Sequence, residues 1–292
     1  MNLDMQVHLW EADRPDRPWR PDRTPSLPEP FGPQQMLPLM EEAGVDRVVI
    51  VPPAIMGARN DFALECAERW PDRFAVMGLL DAGAPDIEEV VARWLDRPGM
   101  VGVRVHFRDT EQSAWPDERL EPFWASAERH ALPVAGFFPG RLEMAERALE
   151  RHPELRLIVD HLGLPRIHAG VDEAQFAVTL RLARFPRVAV KLSTLASRSV
   201  EAAPFADVHG LVRRVLAEYG PQRLLWASDH TQQLTRGRAR YPEEVELVRA
   251  ALGDLPAAEL DAVLGRNAAE LLGWPVGVPS TELPARRRAA GG

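Results

Sequence analysis

The sequence predicts an α/β protein with the architecture of a (β/α)8, or TIM, barrel in a single domain, and three observations support this. Short apolar runs alternate with amphipathic helical patterns, as expected for a parallel sheet covered by helices. Eight such runs occur along the 292 residues. The links from helix to strand are tight Pro/Gly turns, whereas several links from strand to helix are long. Long loops therefore gather at the C-terminal ends of the strands, where barrels carry their active sites.

The predicted strands and helices alternate, and Gly or Pro marks most of their ends. We expect strands at Leu3–Trp10, Val45–Val51, Phe74–Leu80, Met100–His106, Leu132–Phe138, Leu155–His161, Val188–Ser193 and Leu224–Asp229. We expect helices at Gln34–Ala43, Asp61–Trp70, Ile87–Leu95, Leu120–His130, Leu142–Arg151, Glu173–Arg184, Phe205–Tyr219 and Ala257–Leu272, the last packing outside the barrel. A doubly wound sheet is the competing fold, but the chain has no Gly-rich phosphate turn that would support it.

Four of the links that follow strands are long, namely Glu11–Pro33, Arg108–Pro116, Thr194–Pro204 and His230–Pro242. The first is rich in Pro, Arg and Asp and contains Trp19. A long ordered loop of this kind is a candidate lid over the site. We place the barrel domain at residues 1–274 and predict that residues 275–292 form a flexible C-terminal tail.

Composition limits the partners that the protein can have. A net charge of -8 and a pI near 5.6 disfavour nucleic acid and anionic membranes. No apolar stretch approaches the roughly 20 residues of a membrane span, and no export signal precedes the first strand. The only cysteine, Cys66, falls in an apolar helical pattern and fits a reducing cytosol. We expect a cytoplasmic protein that acts on a small molecule, as a monomer or a homodimer.

Polar residues concentrate at the predicted strand ends. On the first strand Asp4, Gln6 and His8 alternate with apolar residues, so we expect them to share one face that points into the barrel. Isolated buried charge is costly, so a group of polar residues on one rim favours an active site over a purely structural role. The inward candidates are Gln6, His8, Arg104, His106, His161, Lys191, Ser193 and Asp229.

Several motifs, taken in order, resemble the amidohydrolase superfamily. They are the first strand ending in His8-Leu9-Trp10, then Gly102-Val103-Arg104, Val159-Asp160-His161-Leu162-Gly163, Val190-Lys191-Leu192-Ser193, Ala227-Ser228-Asp229 and Gly265-Arg266-Asn267-Ala268-Ala269. The ordered set is most similar to the amidohydrolase-2 branch, which contains 2-pyrone-4,6-dicarboxylate lactonase and sugar lactonases. Metal-using members of the superfamily bind a divalent ion through His-x-His on the first strand, a His on the sixth and an Asp on the eighth.

The chain departs from that ligand pattern at one position. It keeps His8, His161 and Asp229, but Gln6 stands where the first histidine is expected. A neutral amide oxygen is a poorer zinc ligand than imidazole. The resemblance implies a lactonase that needs no metal, so we expect no cofactor. The alternative is one divalent metal such as Zn or Mn on His8, His161 and Asp229, in a metal-dependent decarboxylase or hydrolase.

The resemblance thus implies a metal-independent hydrolase of a lactone, or similar cyclic ester, that bears a carboxylate or polyphenolic group. We expect Asp229, ionised and exposed at the barrel mouth, to be the general base. His8 and His161 would donate hydrogen bonds to the oxyanion, and Gln6 would fill the vacated ligand position. Arg104 has a fork suited to a carboxylate. The other expected substrate-binding residues are His106, Lys191, Ser193, Trp19 and His230.

Three alternatives remain open at this stage. The same scaffold could support a non-hydrolytic cyclase or eliminase with Asp229 as base. Lys191, the only lysine of the chain, could form a Schiff base if burial depressed its pKa. A non-catalytic binding protein is disfavoured because His8, His161 and Asp229 are retained together. His230 stands where the family commonly has Trp, which indicates diverged substrate loops.

Overall fold

Eight parallel strands form one sheet whose spatial order is the order of the chain. The computed structural model describes residues 1–107, 117–164, 171–233 and 239–274. The first and last strands meet where the Asp229 N–H donates to the Gln6 carbonyl, at 3.0 Å, so the sheet is a nearly closed barrel and the predicted fold is confirmed. The strands are β1 Leu3–Val7, β2 Arg47–Ile50, β3 Phe74–Leu79, β4 Met100–His106, β5 Val134–Phe137, β6 Leu157–Val159, β7 Ala189–Leu192 and β8 Leu224–Trp226.

Helices cover the outside of the sheet. The helix Tyr241–Ala251 follows β8 and is not among the helices predicted from the sequence. No helix within the described ranges is long and apolar enough to cross a membrane. The main outer helices are Pro33–Ala43, Asp61–Arg69, Ile87–Ala92, Asp117–Arg129, Leu142–Arg151, Glu173–Arg181, His209–Tyr219 and Tyr241–Ala251.

The final helical segment closes the N-terminal end of the barrel instead of joining the outer ring. It runs through Ala257–Asp261, a π-helical turn at Ala262–Arg266, and Asn267–Leu272. Its residues Ala268, Ala269 and Leu272 pack into the same cluster as Leu3 and Leu225. Gly265 permits this approach, since a Cβ there would lie 2.5 Å from the carbonyl oxygen of Met1. The sequence analysis expected this helix outside the barrel; the structure places it across the N-terminal end.

The strand residues divide into an inner and an outer layer, as alternation along a strand requires. The outer layer packs against the helices and includes Val7, Val190 and Leu224. Because side chains alternate, Asp160, Lys191 and Asp229, each two residues after an inner residue, also point inward. The inner layer fills the barrel with Leu3, Met5, Val49, Val51, Ala75, Met77, Val101, Ala135, Ile158, Ala189, Leu225 and Ala227.

The pairing of β1 with β2 shifts by one residue between Asp4 and Val7, which is a β-bulge. Met5 belongs to the inner layer and Val7 to the outer one. The prediction that Asp4 shares a face with Gln6 and His8 is therefore wrong. Asp4 reaches the outer helix layer, where it accepts a hydrogen bond from the Tyr241 hydroxyl at 2.8 Å. A bulge of this kind re-aims the side chains that follow it.

The loop after β1 lies over the helix Asp61–Arg69. Arg17 of this loop pairs with Glu65 of that helix and with Glu11, and Trp10 stacks on Phe31 with ring centroids 5.7 Å apart. Its role as a lid stays a prediction. The long link Arg108–Pro116, the tail at residues 275–292 and part of the link after β8 lie outside the described residues.

Candidate active site

A buried chain of polar contacts crosses the C-terminal end of the barrel. Arg104 Nε donates to Asp160 Oδ2 at 2.9 Å, and Lys191 Nζ lies 2.9 Å from Asp160 Oδ1. Lys191 Nζ also donates to Gln6 Oε1 at 2.9 Å, and Gln6 Nε2 donates to Asp229 Oδ1 at 3.1 Å. All five residues are less than a tenth exposed. The chain of contacts therefore joins residues of β1, β4 and β7 with residues that follow β6 and β8.

Asp160 is the residue that the sequence analysis missed. Burial raises its pKa, but the charges of Lys191 and Arg104 outweigh burial and hold the pKa of Asp160 well below its ordinary value. Burial lowers the pKa of Lys191, and Asp160 offsets part of that effect. The available signal was strand parity: Asp160 lies two residues after the inner residue Ile158.

Two neighbours fix the orientation of the Gln6 amide. An ammonium group can only donate hydrogen bonds, and an ionised carboxylate can only accept them. Gln6 must therefore turn Oε1 to Lys191 and Nε2 to Asp229, since the reverse orientation would break both contacts. The amide then presents an N–H group, not a lone pair, to the space beside Asp229.

These residues do not fit a metal centre that includes Gln6, because its only ligating atom is engaged by an ammonium group. Within the ranges that the structure describes, no three His, Cys, Asp or Glu side chains are grouped so that they could hold a metal ion. His8, His161 and Asp229, the ligands expected for the metal-dependent alternative, are thus not arranged as a metal site.

Asp229 is paired with His8. His8 Nε2 lies 3.1 Å from Asp229 Oδ1, and His8 Nδ1 lies 2.7 Å from the Val51 carbonyl oxygen. A carbonyl oxygen only accepts, so Nδ1 carries a proton, and a second proton must lie between Nε2 and Oδ1 for that contact to be favourable. Both ring nitrogens are thus engaged. In this arrangement His8 holds Asp229, which differs from the expected donation to an oxyanion.

The environment of Asp229 keeps it ionised. Burial raises its pKa, but the hydrogen bond and charge of His8, with the charge of Arg104, outweigh burial and hold the pKa below its ordinary value. Asp229 is only 2% exposed, so the expectation of an exposed carboxylate is wrong. Gln6 and His8 both contact Oδ1. No residue of the described part of the chain bonds to Oδ2.

A second group of candidates surrounds Phe137. Its ring contacts His161 edge-on, with centroids 5.2 Å apart, and His106 at 5.3 Å. The guanidinium of Arg104 lies 5.7 Å from the same ring. His161 Nδ1 is 2.8 Å from Ser193 Oγ. Burial lowers the pKa of His161 to about 4, so its imidazole is neutral at pH 7.

Trp19 and His230 do not contact this group. Trp19 is half-buried in the loop after β1, where its Nε1 donates to the Glu11 carbonyl at 3.0 Å. His230 is buried, and its ring packs on Tyr241 with centroids 4.8 Å apart. Its Nδ1 has no hydrogen-bond partner in the described structure, and burial lowers its pKa to about 4. Their substrate-binding roles stay predictions.

Comparison with known proteins identifies the same family as the sequence motifs. The family model described as amidohydrolase matches residues 3–274. The chain belongs to the amidohydrolase family. The resemblance inferred from the motifs is thereby confirmed, and the protein is an enzyme of the hydrolase class.

Individual relatives are similar along most of their length. L-fucono-1,5-lactonase of Burkholderia ambifaria is 31% identical over 78% of this chain and 79% of its own. D-galactarolactone isomerase of Agrobacterium fabrum is 26% identical over 87% and 84% of the two chains. A crystal structure of an amidohydrolase from Burkholderia multivorans with bound zinc has a TM-score of 0.78 and 26% identity, covering 94% of this chain and all of that one.

We predict that His230 makes the fold sensitive to acid. A histidine whose pKa falls to about 4 on folding stabilises the protein above its unfolded pKa near 6.5, and this contribution is lost as the pH falls toward 4. His230→Phe keeps the ring on Tyr241 but cannot titrate. The loss of unfolding free energy between pH 7 and pH 5, measured with urea, should shrink by about 2 kcal/mol.

The matched control is His130→Gln, because His130 is exposed. This variant should show the pH dependence of the wild type. If His230→Phe also showed the full wild-type loss, a buried neutral His230 would be ruled out.

Proposed function

We propose that the protein hydrolyses a lactone, or a similar cyclic ester that bears a carboxylate or polyphenolic group, without a metal ion and with Asp229 as the general base. One observation carries the proposal: His8 and Gln6 hold Oδ1 of an ionised Asp229, while Oδ2 has no partner among the described residues. The names of the two curated relatives, a sugar lactonase and a sugar-lactone isomerase, support a lactone substrate.

The proposed hydrolysis begins at Oδ2 of Asp229. Oδ2 accepts a proton from water as the water oxygen forms a bond to the lactone carbonyl carbon, which gives a tetrahedral intermediate. The bond from that carbon to the ring oxygen then breaks. The ring oxygen leaves as an alcohol, taking the proton back from Asp229, and the product is an open hydroxy acid. No redox partner is needed.

His161 is the best-placed donor to the oxyanion. Its imidazole is neutral because burial lowers its pKa to about 4. When Nδ1 accepts a hydrogen bond from the Ser193 hydroxyl, Nε2 carries the ring proton and can donate a hydrogen bond. A fixed donor in a buried site stabilises developing negative charge more strongly than water does. His8 supports the reaction from the other side by holding Asp229.

The charges of the site support an anionic substrate. Lys191 and Arg104 share one carboxylate, Asp160, so these three side chains together carry one positive charge. Among the described residues, hydrogen bonds engage only Nε of the Arg104 guanidinium and neither of its two terminal nitrogens. A guanidinium fork binds a carboxylate through two parallel hydrogen bonds. A lactone with a carboxylate would balance the excess charge.

Metal independence is supported by the orientation of Gln6. The ammonium of Lys191 contacts the amide oxygen that a metal would need. Zinc is recorded in the related Burkholderia multivorans structure, so this point needs a direct experiment.

Asp229→Asn should lower kcat by at least 100-fold, since it removes the base and keeps the shape of the side chain. Turnover of D-galactarolactone and L-fucono-1,5-lactone should be followed in ¹⁸O-labelled water. Hydrolysis places one water oxygen in the product, whereas isomerisation by a substrate hydroxyl places none. Asp72→Asn, in the exposed turn that leads into β3 at the N-terminal end of the barrel, is the control and should keep wild-type rates. More than about a tenth of wild-type activity in Asp229→Asn would remove Asp229 from this role.

Arg104→Lys should weaken binding of a carboxylated lactone although the charge is kept, because a fork becomes a point charge. We expect KM for D-galactarolactone, which bears a carboxylate, to rise about tenfold or more, as one charge-assisted hydrogen bond contributes about 1.5–3 kcal/mol. KM for L-fucono-1,5-lactone, which has no carboxylate, should change less. Equal effects on both substrates would mean that Arg104 only supports Asp160.

Chelator treatment should leave activity unchanged if the reaction uses no metal. Protein purified without added metal should contain well under one equivalent of Zn or Mn by elemental analysis. A full equivalent, together with activity that chelator removes and Zn restores, would show that the metal-independent proposal is wrong.

A further inference from the structure

Asp4 is a buried carboxylate that the proposed reaction does not use. It is fully buried and accepts four hydrogen bonds. Two come from backbone N–H groups, Gln6 at 3.0 Å and Ser228 at 2.9 Å. The other two come from the Ser228 and Tyr241 hydroxyls, the latter at 2.8 Å. One side chain thus ties together β1, the residues after β8 and the helix Tyr241–Ala251.

The Gln6 contact lies within the bulge of β1. A bulge leaves an extra residue outside the regular ladder of strand hydrogen bonds, and a buried N–H group without a partner is costly. Asp4 satisfies the Gln6 N–H where the β1 register shifts. A one-residue change of register would turn the following side chains to the opposite face. Without this bulge, Gln6 and His8 would point away from Asp229.

The Ser228 contacts fix the turn that carries Asp229. Asp229 has a φ of 56°, a left-handed conformation that is unfavourable for a residue other than glycine. The residues on both sides hold it: Ser228 bonds to Asp4 through its N–H and its hydroxyl, and the His230 N–H donates to Ser228 Oγ at 2.9 Å. Strain at a functional residue persists only where the surroundings enforce it.

We propose that Asp4 is a positioning residue of the reaction, which holds the β1 bulge and the Ser228–His230 turn so that Gln6, His8 and Asp229 meet. This inference rests on the proposed function in taking Asp229 as the reacting group. Asp4 contacts none of the three side chains that it aligns, so its effect passes through backbone N–H groups.

Tyr241 provides a matched control. Its hydroxyl bonds to the same Asp4 carboxylate from the outer helix, and its contacts with the turn are with the side chains of Ser228 and His230. Tyr241→Phe should cost stability through one lost hydrogen bond and leave the positioning contacts in place. If the backbone contacts of Asp4 matter for the reaction, kcat should therefore fall in Asp4→Ala and not in Tyr241→Phe.

Asp4→Ala should lower kcat for lactone hydrolysis about 100-fold with KM within about threefold, the effect of moving a catalytic group by about 1 Å. Asp4→Asn should restore kcat to within about fivefold of wild type. Its amide oxygen can still accept both N–H groups, and its amide nitrogen can donate to the two hydroxyls. Tyr241→Phe should keep kcat within about threefold although its Tm falls.

Wild-type kcat in Asp4→Ala, or an equal kcat loss in Tyr241→Phe, would overturn the positioning role. If Asp4→Ala does not fold, Asp4→Ser serves instead, because it keeps one side-chain oxygen near the Gln6 N–H and lacks the second oxygen that accepts the Ser228 and Tyr241 hydroxyls. A tenfold loss of kcat in Asp4→Ser would support the proposal, and no loss would overturn it. Full activity of Asp229→Asn would refute the proposed role of Asp229 as the general base. Full activity of Asp4→Ala beside an inactive Asp229→Asn would refute only the positioning role.

Discussion

Charges buried inside the barrel must be paired, and the rest of the site depends on this constraint. An ion inside a protein costs several kcal/mol unless a partner of opposite charge compensates it. Lys191 and Arg104 meet this requirement at Asp160. The position of Lys191 then sets the orientation of the Gln6 amide, and the amide in turn engages Oδ1 of Asp229. The ion pairs of Arg104 and Lys191 with Asp160 thereby determine which oxygen of Asp229 the Gln6 amide engages.

Local departures from regular backbone bring these groups together. The shift in β1 turns Gln6 and His8 into the barrel, and the left-handed residues His161 and Asp229 redirect the chain where β6 and β8 end. Each departure is costly in isolation and is held by buried hydrogen bonds. These three departures from regular strand geometry therefore lie at the site itself.

The sequence was sufficient to predict the barrel, because eight apolar runs and the placement of long loops do not depend on tertiary detail. It also indicated most of the rim, since strand parity alone places Lys191, Ser193 and Asp229 on the inner face. The bulge in β1 could not be predicted, because it depends on Asp4 meeting Ser228, which is 224 residues away. The same limit explains why the partners of His8 and the burial of Asp229 differ from expectation.

The position of Lys191 also has an electrostatic consequence for metal binding. A divalent ion about 4 Å from the ammonium would be repelled by roughly 8 kcal/mol at an effective dielectric constant of about 20, before the attraction of nearby carboxylates is counted. Asp160 offsets part of this repulsion, but it is already shared with Arg104. Replacing Gln6 by histidine would add a ligand and remove the acceptor of Lys191 without removing its charge. A metal site at this point would therefore require a change at Lys191 as well as at Gln6.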